Sequence, residues 1–191
     1  MNTSRKWSLN LIKKNFIIIV LLNISSIVNV YAENFIVTGH VYANNNEFEY
    51  ILNESKNKNI DSIFILGDIK NDVLTKIPSY EDKYNIEIYT VPGNHEFPDD
   101  VHGRDYIKRF GNYRSIIKGN ELYILLNTME NNSAKNKFNH AGYGIEGKQL
   151  EFLKSAINSS DRNITTINIF MHHSLFIDKL TTKEIKNIID N

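Results

Sequence analysis

Five short runs rich in β-branched and aromatic residues, at 35–37, 63–66, 86–91, 122–126 and 164–171, alternate with segments whose apolar residues fall at helix spacing. That alternation restricts the chain to an α/β layer architecture in which helices cover a sheet of buried strands. Phe48, Ile51 and Leu52 form one apolar stripe, and Leu150, Leu153 and Ile157 form another. A last helix is marked by Thr181 and Glu184 at capping-box spacing, with Leu180 and Ile185 at the staple positions. Ile185, Ile188 and Ile189 then supply its buried face. With 191 residues, 41% of them apolar, the chain is long enough for one domain with a sizeable core.

Before that domain, Arg5, Lys6, Lys13 and Lys14 precede an apolar stretch from residue 16 to 22 that weakens towards Val30 and Ala32. Basic, apolar and small residues in that order predict a signal peptide over 1–32, cut after Ala32, and export to the periplasm or the extracellular medium. Asn23, Ser25, Ser26 and Asn29 interrupt the stretch and disfavour a stable membrane span. Membrane contact is expected only if the segment is left uncleaved as an anchor. The domain then occupies 33–191. The balance of 22 Lys and Arg against 22 Asp and Glu gives no electrostatic reason to expect a nucleic-acid partner. There is no Cys, so any metal must be held by His, Asp, Glu or Asn.

Four of the runs end in such a residue: His40, Asp68, Asn94 and His172. If the strands are neighbours and mostly parallel, these residues share one rim of the sheet, where open α/β folds place their ligand crevice. Gly39, Gly67 and Gly93 each stand directly before one of them, allowing a sharp turn and a close approach to an ion. One carboxylate, two imidazoles and an amide oxygen suit Mn, Fe or Zn better than Ca. A single His or Asp at a strand end is ordinarily a turn residue; the repetition is the signal.

Leu66-Gly67-Asp68, then Val91-Pro92-Gly93-Asn94-His95-Glu96, then Phe170-Met171-His172-His173-Ser174-Leu175 resemble, in order and spacing, the motifs of the calcineurin-like metallophosphoesterase superfamily. Asn127, Thr128 and the segment beginning at Gln149 also sit where that family has a strand and a helix. The resemblance implies a sandwich of sheets flanked by helices and hydrolysis of a small-molecule or macromolecular phosphoester by water activated between two divalent cations. It makes Asp68 the bridging carboxylate, His40 a ligand of the first metal, and Asn94 and His172 ligands of the second. His95 becomes the catalytic imidazole, Glu96 a carboxylate holding its orientation, and His173 a residue behind the ligands.

Two departures accompany the resemblance. Thr38 stands where the family has the first Asp of its Asp-x-His motif, and the closing Gly-His-x-His motif is absent before Asn191. The fold is therefore expected to be incomplete at its C-terminus, with one or no ion held by the ligands present. The competing expectation is a non-catalytic exported domain binding at most one metal or a phosphate-bearing ligand. Segments 71–84 and 99–113 are expected as loops around the metals that set specificity. His102, Arg104, Lys108 and Arg109 are available there to an anionic group, although a solvated helix face is the ordinary reading of such residues.

Overall fold

The computed structural model describes residues 34–41, 45–97, 100–129, 144–159, 163–173 and 186–188. In chain order the elements are β1 (Phe35–Thr38), α1 (Asn45–Asn57), β2 (Ser62–Leu66), α2 (Asn71–Tyr84), β3 (Glu87–Val91), α3 (Asp100–Phe110), β4 (Arg114–Lys118), β5 (Glu121–Leu125), α4 (Gly147–Asn158) and β6 (Thr166–Phe170). All five runs read from the sequence contain a strand. They lie in two sheets, as the resemblance implied, where the alternation of runs by itself suggested one: β1-β2-β3, wholly parallel, and β4-β5-β6, in which β4 is antiparallel and β6 parallel to β5.

The reason for two sheets is written into the central strands. Along β2, Ile63 and Ile65 face one core while Phe64 and Leu66 face another; along β5, Leu122 and Ile124 diverge in the same way from Tyr123 and Leu125. A strand apolar on both faces must be covered twice, here by helices outside and by the opposite sheet inside. Ile63 and Ile65 pack with Phe48 and Leu52 of α1 and Val73 and Ile77 of α2, and Leu122 and Ile124 pack with Leu153 of α4. Phe64 forms the centre of the inner layer. It stacks on Tyr123 at 5.2 Å, Phe170 at 4.3 Å and Tyr89 at 5.1 Å, and meets Phe35 edge-on at 5.5 Å. Such pairings add to the burial of the rings themselves.

Segments 71–84 and 99–113, expected as loops, are largely helices. Val73, Ile77, Tyr80 and Tyr84 give α2 a buried stripe, and Asn85, at φ 50°, closes it. Pro78 sits inside α2 and has no N–H to give the carbonyl of Leu74 one turn earlier. The guanidinium of Arg109, from α3, donates to that carbonyl at 3.0 Å. β4 was not expected either; its half-buried alternation, with Arg114 and Lys118 against the ring of Tyr89, belongs to a sheet edge.

The expected signal segment 1–32, the connection at 130–143 and the start of the last expected helix at Thr181 lie outside the described residues. Residues 186–188 are helical, and Ile188 packs on the core beneath α4. No helix among the described residues is long and apolar enough to cross a membrane.

Candidate metal centre

The turns after β1, β2 and β3 lie side by side because the first sheet is parallel. The N–H of His40 donates to the carbonyl of Gly67 at 3.2 Å, and that of Lys70 to Val41 at 3.1 Å. Where the turns of β2 and β3 meet, a side chain has no room. A Cβ on Gly93 would lie 2.8 Å from both the nitrogen of Asp68 and Cε1 of His172, and one on Gly67 would lie 2.8 Å from Cα of Gly93. Glycine is needed at both positions for contact, and at Gly67 also for a φ of +76°. His40 and Asp68 themselves adopt φ of 53° and 54°, a region costly for side-chain-bearing residues and concentrated at functional sites.

Asp68, 4% exposed, is the focus. Its Oδ2 is 3.1 Å from Nδ1 of His40 and 3.6 Å from Nε2 of His172, and its Oδ1 accepts the backbone N–H of His95 at 3.2 Å. One ligand atom each from His40, Asp68 and His172 all lie within 4.8 Å of one another. His172 arrives from β6 of the second sheet, so the shared rim expected of one sheet is formed by two. Its Nδ1 is 2.6 Å from the carbonyl of Leu66. A carbonyl only accepts, so Nδ1 carries the proton and the lone pair of the neutral ring is on Nε2, the atom facing Asp68. Asn94 lies on the turn between Gly93 and His95 and is half-buried. A carboxylate and two ring nitrogens in this arrangement suit a divalent cation. Thr38 ends β1, two residues before His40.

Glu96 binds the backbone of two turns. Buried, it accepts three backbone N–H groups: Oε2 takes those of Asp68 at 2.9 Å and Gly93 at 2.6 Å, and Oε1 that of Ile69 at 2.5 Å. Its carboxylate therefore fastens the β2 turn to the β3 turn. Burial raises its pKa above the usual carboxylate value, against the lowering effect of the three bonds. The imidazole of His95 is exposed at the mouth of an open cleft of about 800 Å³ between α2 and α3.

Behind the ligands, His173 Nδ1 is 2.7 Å from Oγ1 of Thr128, which also accepts the His173 N–H at 3.3 Å. The chain at Thr128 is held in turn by Gln149, fully buried, whose amide bonds both the N–H of Asn127 at 2.6 Å and its carbonyl at 2.9 Å. These residues have a sequence signal, a polar Asn127-Thr128 pair directly after a strand. The role of the Leu66 carbonyl has none, since it is backbone. Of the four cations expected near the site, Lys108 and Arg109 line the cleft and Arg104 is exposed on α3; the side chain of His102 lies outside the described residues.

The model of the calcineurin-like phosphoesterase family matches residues 34–187. No curated protein sequence matches the chain. Among solved structures, a dimetal phosphatase from Danio rerio is similar in fold, with a TM-score of 0.62 at 13% sequence identity over 82% of this chain and 77% of that one. The residues matched by the family model span both sheets and every residue of the centre, and the chain belongs to the calcineurin-like phosphoesterase family.

Proposed function

We propose that this chain hydrolyses phosphoesters at the rim where His40, Asp68 and His172 meet, and that these residues together with Asn94 would hold two divalent cations. The convergence of three ligand atoms within 4.8 Å, from strands of two different sheets, carries the reading. A cation bound there supplies Lewis acidity towards the phosphoryl oxygens and lowers the pKa of a bound water towards neutrality. The remaining chemistry belongs to the chain. His172, its Nδ1 proton committed to Leu66, keeps a free lone pair on Nε2, and Glu96 holds the two turns at fixed separation. His95, exposed beside the centre, supplies the proton that the leaving oxygen needs. Residues 1–32 direct export of the domain, checked by the mass of the mature protein from a secreting host.

Hydrolysis of aryl phosphate mono- and diesters is assayed with Mn, Fe and Zn, alongside metal content per chain, for the wild type and Asp68→Ala. Metal-dependent turnover lost together with bound metal in the variant is the expected result; turnover indifferent to metal refutes the proposal. Thr38 favours a second reading, a domain of this fold that binds one cation or a phosphate-bearing ligand without turning it over. One equivalent of bound metal with no hydrolysis selects that reading.

A further inference from the structure

The ladder joining β5 to β6 gives way to a side chain as it reaches the rim. The N–H of Leu126 donates to the carbonyl of Phe170 at 2.9 Å, and beyond that bond the two chains are tied through the hydroxyl of Thr128. Its Oγ1 accepts the N–H of His173 at 3.3 Å and lies 2.7 Å from Nδ1 of the same residue. That N–H shares a rigid peptide plane with the carbonyl of His172, so the hydroxyl fixes how the main chain leaves His172. The ring of His172 is fixed separately, by the carbonyl of Leu66 from the first sheet. The ligand is thus held at two points, one from each sheet.

Thr128 is itself firmly placed. It is 1% exposed, and its own carbonyl accepts the N–H of Gly144 at 3.3 Å. Beside it, Gln149 brackets the backbone of Asn127, and the Asn127 side chain bonds Asn112 at 2.6 Å and the N–H of Met129 at 2.7 Å. A hydroxyl on so constrained a stretch can hold its neighbour to a set position. We infer that Thr128 is a positioning residue for the cation centre: acting through the peptide between His172 and His173, its hydroxyl sets where Nε2 of His172 stands relative to Asp68. This rests on the reading of His172 as a ligand. Nε2 is 3.6 Å from Oδ2 of Asp68. Two ligands of one tetrahedral ion, each at about 2.0–2.1 Å, stand about 3.3 Å apart, so the pair is already close to the separation that one cation imposes.

The test compares the full chain as wild type, Thr128→Val and Thr128→Ser by calorimetric titration with Mn and with Zn, beside the metal-free melting temperature of each. Valine keeps the shape and removes the hydroxyl; serine restores it. Thr128→Val binds either cation about tenfold or more weakly, as loss of a bond behind a ligand does, and Thr128→Ser returns to within about threefold of the wild type. Ile63→Val, in the core at the far end of β2 from the rim, lowers the melting temperature without moving either affinity, which separates positioning from a general loss of stability. Wild-type affinities in Thr128→Val, or a serine variant as weak as the valine one, overturn the inference, while metal-dependent hydrolysis by the wild type leaves the phosphoesterase reading standing. Should Thr128→Val not fold, hydrogen exchange in the metal-free wild type decides: the amide of His173 is protected, and exchange at the rate of a free turn amide overturns the inference. Absence of cation binding by the wild type overturns both readings.

Discussion

Replacing Glu96 by Gln tests whether one buried side chain holds the centre together. Its two oxygens accept three backbone N–H groups, two on Oε2 and one on Oε1, from Asp68, Gly93 and Ile69. Glutamine keeps only one accepting oxygen. If that oxygen takes the place of Oε2, the amide nitrogen faces the N–H of Ile69, donor against donor. The loss is the same whether the carboxyl is ionised or, with its pKa raised by burial, carries a proton, because oxygen accepts in either form and an amide nitrogen in neither. A buried N–H without an acceptor costs about 2 kcal/mol. For a domain of this size that lowers the melting temperature by roughly 4–8 °C. Glu96→Ala leaves all three N–H groups unmet and costs about 3 kcal/mol or more. Because Ile69 directly follows Asp68 on the same turn, losing its acceptor loosens that turn, and Glu96→Gln also weakens cation binding by about 10–100-fold. Thermal denaturation of the metal-free protein measures the first effect, and calorimetric titration with Mn or Zn the second. A melting temperature within about 1 °C of the wild type, with unchanged cation affinity, would refute the assignment.

Three further outcomes are expected. His95→Ala lowers turnover of an aryl phosphate by about 100-fold while metal content persists, since the backbone N–H that His95 gives Asp68 survives the substitution; equal turnover removes the imidazole from the reaction. Gly93→Ala abolishes cation binding because its Cβ has no place beside Asp68 and His172, whereas Gly111→Ala, with nothing within 4 Å, retains binding and costs only about 1 kcal/mol for its positive φ; Gly93→Ala binding as wild type contradicts the packing described. Tyr106, whose hydroxyl is 2.6 Å from that of Thr90, has its pKa pushed well above the ordinary 10.0 by burial. Its contribution is therefore complete below pH 10 and is lost as the pH rises above that, by up to about 1.4 kcal/mol per pH unit. Urea denaturation between pH 9 and 11 shows wild-type stability falling faster than that of Tyr106→Phe; parallel curves refute the reasoning.

The candidate ligands were legible as a group because each follows a run of strand-forming residues, a local pattern that survives any arrangement of the strands. His40, Asp68 and His172 converge as that pattern implied, with Asn94 on the adjoining turn. The partition into two sheets was legible only through the family resemblance, which implied a sandwich; the pattern of runs alone did not carry it, because it depends on Phe64 of one strand meeting Tyr123 and Phe170 of others far along the chain. α2 was obscured by Pro78, and α3 by Gly103, whose missing side chain leaves space for the ring of Phe97. The task of Glu96 was hidden for another reason: its partners are backbone groups, which look alike in every sequence.

The proline within α2 has a consequence for how the walls of the cleft behave. A helix interrupted there would ordinarily have a carbonyl turned to water and a natural place to bend. Here Leu74 is fastened to Arg109 of the neighbouring helix, so the defect in one element has become a latch between two. Spreading the walls of the cleft has to release that latch as well as the packing that Leu74 and Ile77 share with Tyr106 and Phe110.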